Sequence, residues 1–360
     1  MARAAATWTK AIQRTVRAIT RASKVKPVSK RATPVKAKKP VKVKATIKAK
    51  ATSRKPAPPA GESDWLSGLS MGSTGARRYW LYRPLGMNAG ELRPLLVMLH
   101  GCTQDAKEFA ASTRMNALAR REGFMVLYPE QSRLDNPQRC WNWYDTRRGH
   151  AQREAARILA AVDQVQRRQP IDGARIAVLG LSAGASMAAL LGTLHPDRFR
   201  AVVMHSGIAT GVANSTATAL AAMRGQRLPQ PRQPGQVAEQ WPPLMVIQGE
   251  SDPIVSPRNG AAAAQFWADG VGAGSGVQRS VQRGQRYPMT VTDFKQRGRT
   301  VVTLVSIARL GHAWSGGAAS QSYSDPKGPD ATRMAWAFVS RQFRQLAQAD
   351  PSNRRATLAR

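Results

Sequence analysis

Five residues constrain this chain more than any others: Gly180-Leu181-Ser182-Ala183-Gly184, which follow the apolar run Ile176-Ala177-Val178-Leu179 and precede an Ala- and Leu-rich stretch. A β-rich run that passes at once into a helix must reverse direction within these positions. A side chain at either flank would collide with the strand or the helix, so glycine stands at Gly180 and Gly184. The Ser182 hydroxyl is left standing at the tip of the turn, at the end of its strand. Such a turn needs a sheet beneath it and a helix packed behind it, and the rest of the chain has to supply both.

The apolar patterning does so. Strands are expected at about 78–82, 94–99, 124–128, 175–179, 200–204, 243–247 and 300–307, with helical stretches at about 106–121, 151–168, 183–194, 257–268 and 330–345. Strand and helix in repeated alternation predict a doubly wound, mostly parallel sheet, here of the α/β-hydrolase type. The folded body is expected to begin near Tyr79, within a catalytic domain spanning 61–345 that leaves 346–360 as a tail. Residues 289–302 read as a hairpin leading into the last strand. Residues 208–240, rich in Ala, Gln and Pro without a clear period, read as a cap or a surface loop.

A serine hydroxyl is a poor nucleophile at neutral pH and needs a base that a third group orients. In this fold the order is Ser, acid, His, each after a late strand. Asp252 follows Leu244-Met245-Val246-Ile247-Gln248, with Glu250 two residues away as the alternative acid. His312 follows Thr303-Leu304-Val305-Ser306-Ile307. His100, His150, His195 and His205 do not follow a strand beyond the acid and are assigned structural roles. The negative charge that develops on a carbonyl oxygen needs preorganised donors. The backbone N–H of Ala183 and that of Cys102, in the loop His100-Gly101-Cys102-Thr103-Gln104, are the candidates. Cys140-Trp141-Asn142-Trp143-Tyr144-Asp145 places three aromatic residues in a loop. They form either a buried cluster or, with Trp314, an aromatic substrate-binding wall of Trp141, Trp143 and Trp314.

Taken together, His100-Gly101-Cys102-Thr103-Gln104, Cys140-Trp141-Asn142-Trp143, Gly180-Leu181-Ser182-Ala183-Gly184 and Gly311-His312-Ala313-Trp314-Ser315-Gly316-Gly317 resemble the polyhydroxybutyrate-depolymerase family of esterases, which is related to feruloyl and acetyl-xylan esterases. The resemblance covers about residues 77–340. It implies a single-domain serine hydrolase of ester bonds, with Ser182, Asp252 and His312 as the triad and neither cofactor nor metal. The substrate it points to is a poly(3-hydroxyalkanoate) polyester or its oligomers, with an aryl or acetyl ester on polysaccharide as the alternative.

Charge separates the N-terminal region from the rest. The chain carries a formal +34, and residues 1–60 hold 18 Lys and Arg and no acid, leaving 37 basic against 21 acidic residues in the remainder. Within the first sixty residues, 7–21 set Trp8, Ile12, Val16 and Ile19 against Lys10, Arg14, Arg17 and Arg21, the pattern of a basic amphipathic helix. Residues 25–59 alternate Lys, Pro, Ala and Val, a composition expected to stay disordered. Such a tail suits a polyanion, an anionic membrane or a storage granule, and a tethering protein with an inert hydrolase body is the reading from another class. No apolar run reaches the length of a membrane span, and no secretory h-region is evident, so a cytoplasmic or granule-associated location is expected, with an extracellular one as the alternative. With only Cys102 and Cys140, the chain is no disulfide-dense scaffold. The sequence leaves open one disulfide between them or two buried thiols.

Overall fold

Six apolar runs lie side by side in a computed structural model that describes residues 65–85, 90–231 and 239–349. They are β3 (Arg93–Leu99), β4 (Met125–Pro129), β5 (Ile171–Leu181), β6 (Ala201–His205), β7 (Leu244–Gly249) and β10 (Arg299–Ile307). All adjacent pairs in the order β4-β3-β5-β6-β7-β10 are parallel. Strands covered on both faces read as continuous apolar sequence, and β4, β6 and β7 are buried at every residue.

Antiparallel strands extend the sheet at both sides. Strand β2 (Gly75–Tyr82) pairs with β4, and β1 (Trp65–Gly72) pairs with β2. At the far side β9 (Met289–Gln296) pairs with β10, and β8 (Gly274–Val281) with β9. The β9–β10 hairpin expected from the sequence is present. It turns through Arg297 and Gly298, whose φ of 49° and 78° suit the tight turns that connect twisted strands. The folded body does not begin near Tyr79, because β1 precedes it; its Trp65-Leu66-Ser67-Gly68-Leu69-Ser70 sequence has little strand propensity and is held by pairing in full register with β2.

The expected helix over 106–121 is two helices. Helix α1 (Ala106–Thr113) ends and α2 (Met115–Glu122) begins at Arg114, which has a left-handed φ of 55° and donates from its guanidinium to Gly316 O. The remaining helices are α3 (His150–Arg168), α4 (Ala183–Leu194), α5 (Thr216–Met223), α6 (Arg258–Val271) and α7 (Ala331–Ala349). Helix α5 lies within the stretch read as a cap or loop, and a reciprocal capping box between Ser215 and Thr218 starts it. Short strands β11 (Trp314–Ser315) and β12 (Ser324–Asp325) pair outside the main sheet. Among the described residues no helix is long and apolar enough to cross a membrane. The amphipathic helix expected at 7–21 and the tail 1–60 lie outside the described residues; of the tail expected at 346–360, residues 346–349 continue the last helix and 350–360 lie outside the described residues.

Candidate active site

Ser182, Asp252 and His312 all stand just past the C-terminal ends of parallel strands, β5, β7 and β10, on the edge of the sheet where open α/β folds place ligands. The backbone of Ser182 has φ 57° and ψ −121°, a conformation foreign to an L-residue outside a forced turn. The flanking glycines make that turn possible. A Cβ on Gly180 would lie 2.3 Å from Gly184 C, and one on Gly184 would lie 2.1 Å from Leu99 O and 2.6 Å from His100 O. The start of α4 is thereby pressed against the end of β3 and the loop that follows it.

That loop carries the amide donors. Gly101 N–H donates to Gln104 Oε1 at 3.0 Å, Thr103 N–H to Gln138 O at 2.7 Å, and Gln104 N–H to Gly101 O at 3.3 Å. Among the described residues the Cys102 amide has no such acceptor. The Ala183 amide, first in α4, lacks a partner within its helix for the usual reason at a helix start. Cys102 and Cys140 form a disulfide, which ties the amide loop to the aromatic loop.

Asp252 and His312 meet directly, with Nδ1 of the imidazole 2.8 Å from Oδ2 of the carboxylate, and both side chains are almost wholly enclosed. Oδ1 accepts the N–H groups of Ile254 and Val255, each at 2.9 Å. Gln248 Nε2 approaches Oδ2 at 3.4 Å. Burial opposes ionisation of Asp252, but the imidazole and the two amides outweigh it, so its carboxyl is held below the usual carboxylate range. Glu250, the alternative acid, points to solvent.

The aromatic wall requires correction. Trp141 and Trp314 are fully buried, with their indole N–H groups bonded to His100 O and Thr332 Oγ1, both at 3.0 Å. Trp143 is nearly buried and packs edge-on against Tyr144 at 5.6 Å. Trp141 and Trp314 brace the amide loop and the His312 loop from behind and offer no face to a substrate. The ring that does stand beside His312 is Tyr323, half-buried, 6.4 Å away and perpendicular to the imidazole. Nothing around Tyr323 in the sequence marked it, since β12 brings it there from eleven residues downstream.

Of the other histidines, His100 and His205 are wholly buried. His100 Nδ1–H donates to Gly101 O at 2.8 Å and Nε2 accepts Gln131 N–H at 3.1 Å; burial lowers its pKa to about 4. His205 is also fully buried and is bonded to two parts of the site, as described below.

Residues 77–281 match the family described as Esterase PHB depolymerase. Among curated proteins, the chain is 35% identical over 187 residues to poly(3-hydroxyalkanoate) depolymerase C of Paucimonas lemoignei, covering 49% of this chain and 44% of that protein. It is 26% identical over 196 residues to feruloyl esterase B of Thermothelomyces thermophilus, covering 50% of this chain and 66% of that one. The chain thus matches less than half the length of the depolymerase and just under two thirds of the feruloyl esterase. Among solved structures, an acetyl xylan esterase from Aspergillus awamori superposes with a TM-score of 0.58 at 16% identity, over 77% of this chain and 98% of that one, a likeness of fold.

Proposed function

The chain belongs to the esterase PHB depolymerase family, and from that membership we propose that it is a serine carboxylic-ester hydrolase that works through an acyl-enzyme. The observation that carries the reading is the 2.8 Å contact between His312 Nδ1 and Asp252 Oδ2, on the same sheet edge as the strained turn at Ser182. With Nδ1–H held by Asp252, Nε2 of His312 is free to accept the Ser182 proton as Oγ bonds to the ester carbonyl carbon. The amides of Cys102 and Ala183 stabilise the oxyanion. Collapse breaks the bond to the alcohol oxygen, which takes the proton from His312. Water then attacks the acyl-enzyme with His312 again as base, releasing the acid and restoring Ser182.

The substrate class we assign is a poly(3-hydroxyalkanoate) polyester or its oligomers, the substrate named in the 35% identical relative. An ester attached to polysaccharide is the second reading, favoured by the feruloyl esterase match. The Cys102–Cys140 bond favours an oxidising compartment over the cytoplasmic location that the sequence suggested. Residues 1–60 are assigned a docking role on a polyanionic or granule surface, on the strength of their charge.

The test compares wild type with Ser182→Ala on a p-nitrophenyl ester series and on amorphous polyhydroxybutyrate. Loss of turnover on the order of 10⁶-fold in the variant is expected. Clearing of polymer by wild type supports the polyester assignment. Cleavage of short esters with the polymer intact moves the assignment to polysaccharide esters. Turnover that survives in the variant ends the serine mechanism.

A further inference from the structure

The segment His205-Ser206-Gly207-Ile208 leaves β6 and is bonded to the serine turn and its helix. The carbonyl of His205 accepts the N–H of Ser182 at 2.9 Å. Its side chain reaches the opposite wall of the site, where Nε2 accepts the backbone N–H of Ser315 at 3.2 Å, three residues past His312. Nδ1 faces Ser206 Oγ at 3.1 Å, and the ring stacks on Trp314 with centroids 5.1 Å apart. One buried residue is therefore bonded to the nucleophile turn by its backbone and to the histidine loop by its side chain.

Neighbouring contacts stiffen the same segment. Ser206 has a φ of 54°, uncommon for a residue with a side chain, and its N–H donates to Ile247 O at 2.9 Å. Ile208 N–H donates to Ser186 Oγ at 2.8 Å, one helical turn after Ser182 on α4. An N–H that points at Nε2 needs a lone pair there, which places the ring proton on Nδ1 and requires the neutral imidazole. Burial and the nearby His312 lower the pKa of His205 to about 3, so the ring stays neutral at any ordinary working pH. A group of this size needed only for packing would not have to be an imidazole. The acceptor is what the ring alone supplies.

We propose that His205 is a positioning residue for the hydrolysis, fixing Ser182 relative to His312 by accepting the Ser182 N–H through its carbonyl and the Ser315 N–H through Nε2. The inference rests on the serine-hydrolase reading above. Without the acceptor, the 312–315 loop loses its link to β6 while the Asp252–His312 pair remains. Misalignment of that kind affects proton transfer from Ser182, hence kcat, and leaves substrate binding largely intact.

Two variants separate the acceptor from the packing. His205→Phe keeps a ring on Trp314 and removes the acceptor, whereas His205→Gln returns an amide oxygen near the position of Nε2. With p-nitrophenyl butyrate, the Phe variant is expected to lose on the order of 10²-fold in kcat with little change in KM, and the Gln variant to recover most of the loss. The rate at which a fluorophosphonate labels Ser182 should fall and recover in parallel. A folded Phe variant with wild-type kcat overturns the proposal, as does a Gln variant that falls as far as Phe. Should neither variant fold, imidazole ¹⁵N shifts of the wild type decide: His205 must show an unprotonated Nε2, and a protonated one overturns the assignment. Ser182→Ala, run alongside, separates the two readings, because turnover that survives in it defeats the hydrolase assignment irrespective of His205.

Discussion

Gly184 has no room for one methyl group, because the atoms it would meet, Leu99 O at 2.1 Å and His100 O at 2.6 Å, are backbone. Backbone at the end of a buried strand cannot give way as a side-chain tip can. Gly184→Ala is therefore expected to cost at least the upper end of the about 1–3 kcal/mol seen for overpacked sites, read as a lower urea midpoint. The reason for this glycine was legible in five residues of sequence, as were the places of Ser182, Asp252 and His312, since each follows an apolar run. Asp252→Asn should lower kcat about 10⁴-fold, by offering His312 the wrong tautomer. A fall of less than about tenfold would remove Asp252 from its orienting role. The roles of Trp141, Trp314 and His205 were not legible. What encloses a ring is chain from elsewhere: Thr332 for the Trp314 indole, and Ser315 for the His205 imidazole.

Strands with both faces covered declare themselves in sequence, and those at the sheet margins do not. Val-, Leu- and Ile-rich β3, β5 and β7 were evident, whereas β8, with its exposed Ser, Gln and Arg, owes its conformation to β9 beside it. The break between α1 and α2 was hidden for a similar reason: no glycine or proline marks it, and Gly316, two hundred residues away, receives the Arg114 guanidinium. The disulfide joins two loops, its cysteines 38 positions apart in sequence, and one end sits at the amide assigned to the oxyanion. Reduction, or Cys140→Ser, is expected to cost about 4 kcal/mol by the chain-entropy relation. It should also lower kcat on p-nitrophenyl butyrate. Urea titration with and without reductant measures the first effect, and turnover in dilute urea-free buffer the second. Stability that is indifferent to reductant would contradict the expectation.

Two buried imidazoles make the stability of the whole molecule depend on pH. His100 and His205 have pKa values lowered to about 4 and about 3, against an ordinary value of 6.5. Below pH 6.5 the unfolded chain binds protons that the folded one refuses, so stability falls with pH from there down toward the folded values. The slope is about 1.4 kcal/mol per pH unit for each group. Asp252, whose pKa is lowered from 3.8, adds a loss of the same sign only at more acidic pH. Urea midpoints measured at intervals from pH 7 to 4.5 should decline steadily below 6.5, and His205→Gln should remove one group's share. A profile as steep in His205→Gln as in wild type would mean that the His205 ring takes up its proton without cost. The order of the sheet has a consequence for synthesis. Strand β10 lies between β7 and β9, yet it is the last of the ten to leave the ribosome. Until residue 307 emerges, β7, buried throughout in the finished sheet, has a bare backbone edge of the kind that pairs with other chains. The imidazole that meets Asp252 arrives only behind that closing strand. A nascent chain stalled before it is prone to aggregate and lacks its acid–base pair, so the burden on chaperones is greatest between the emergence of β7 and that of β10.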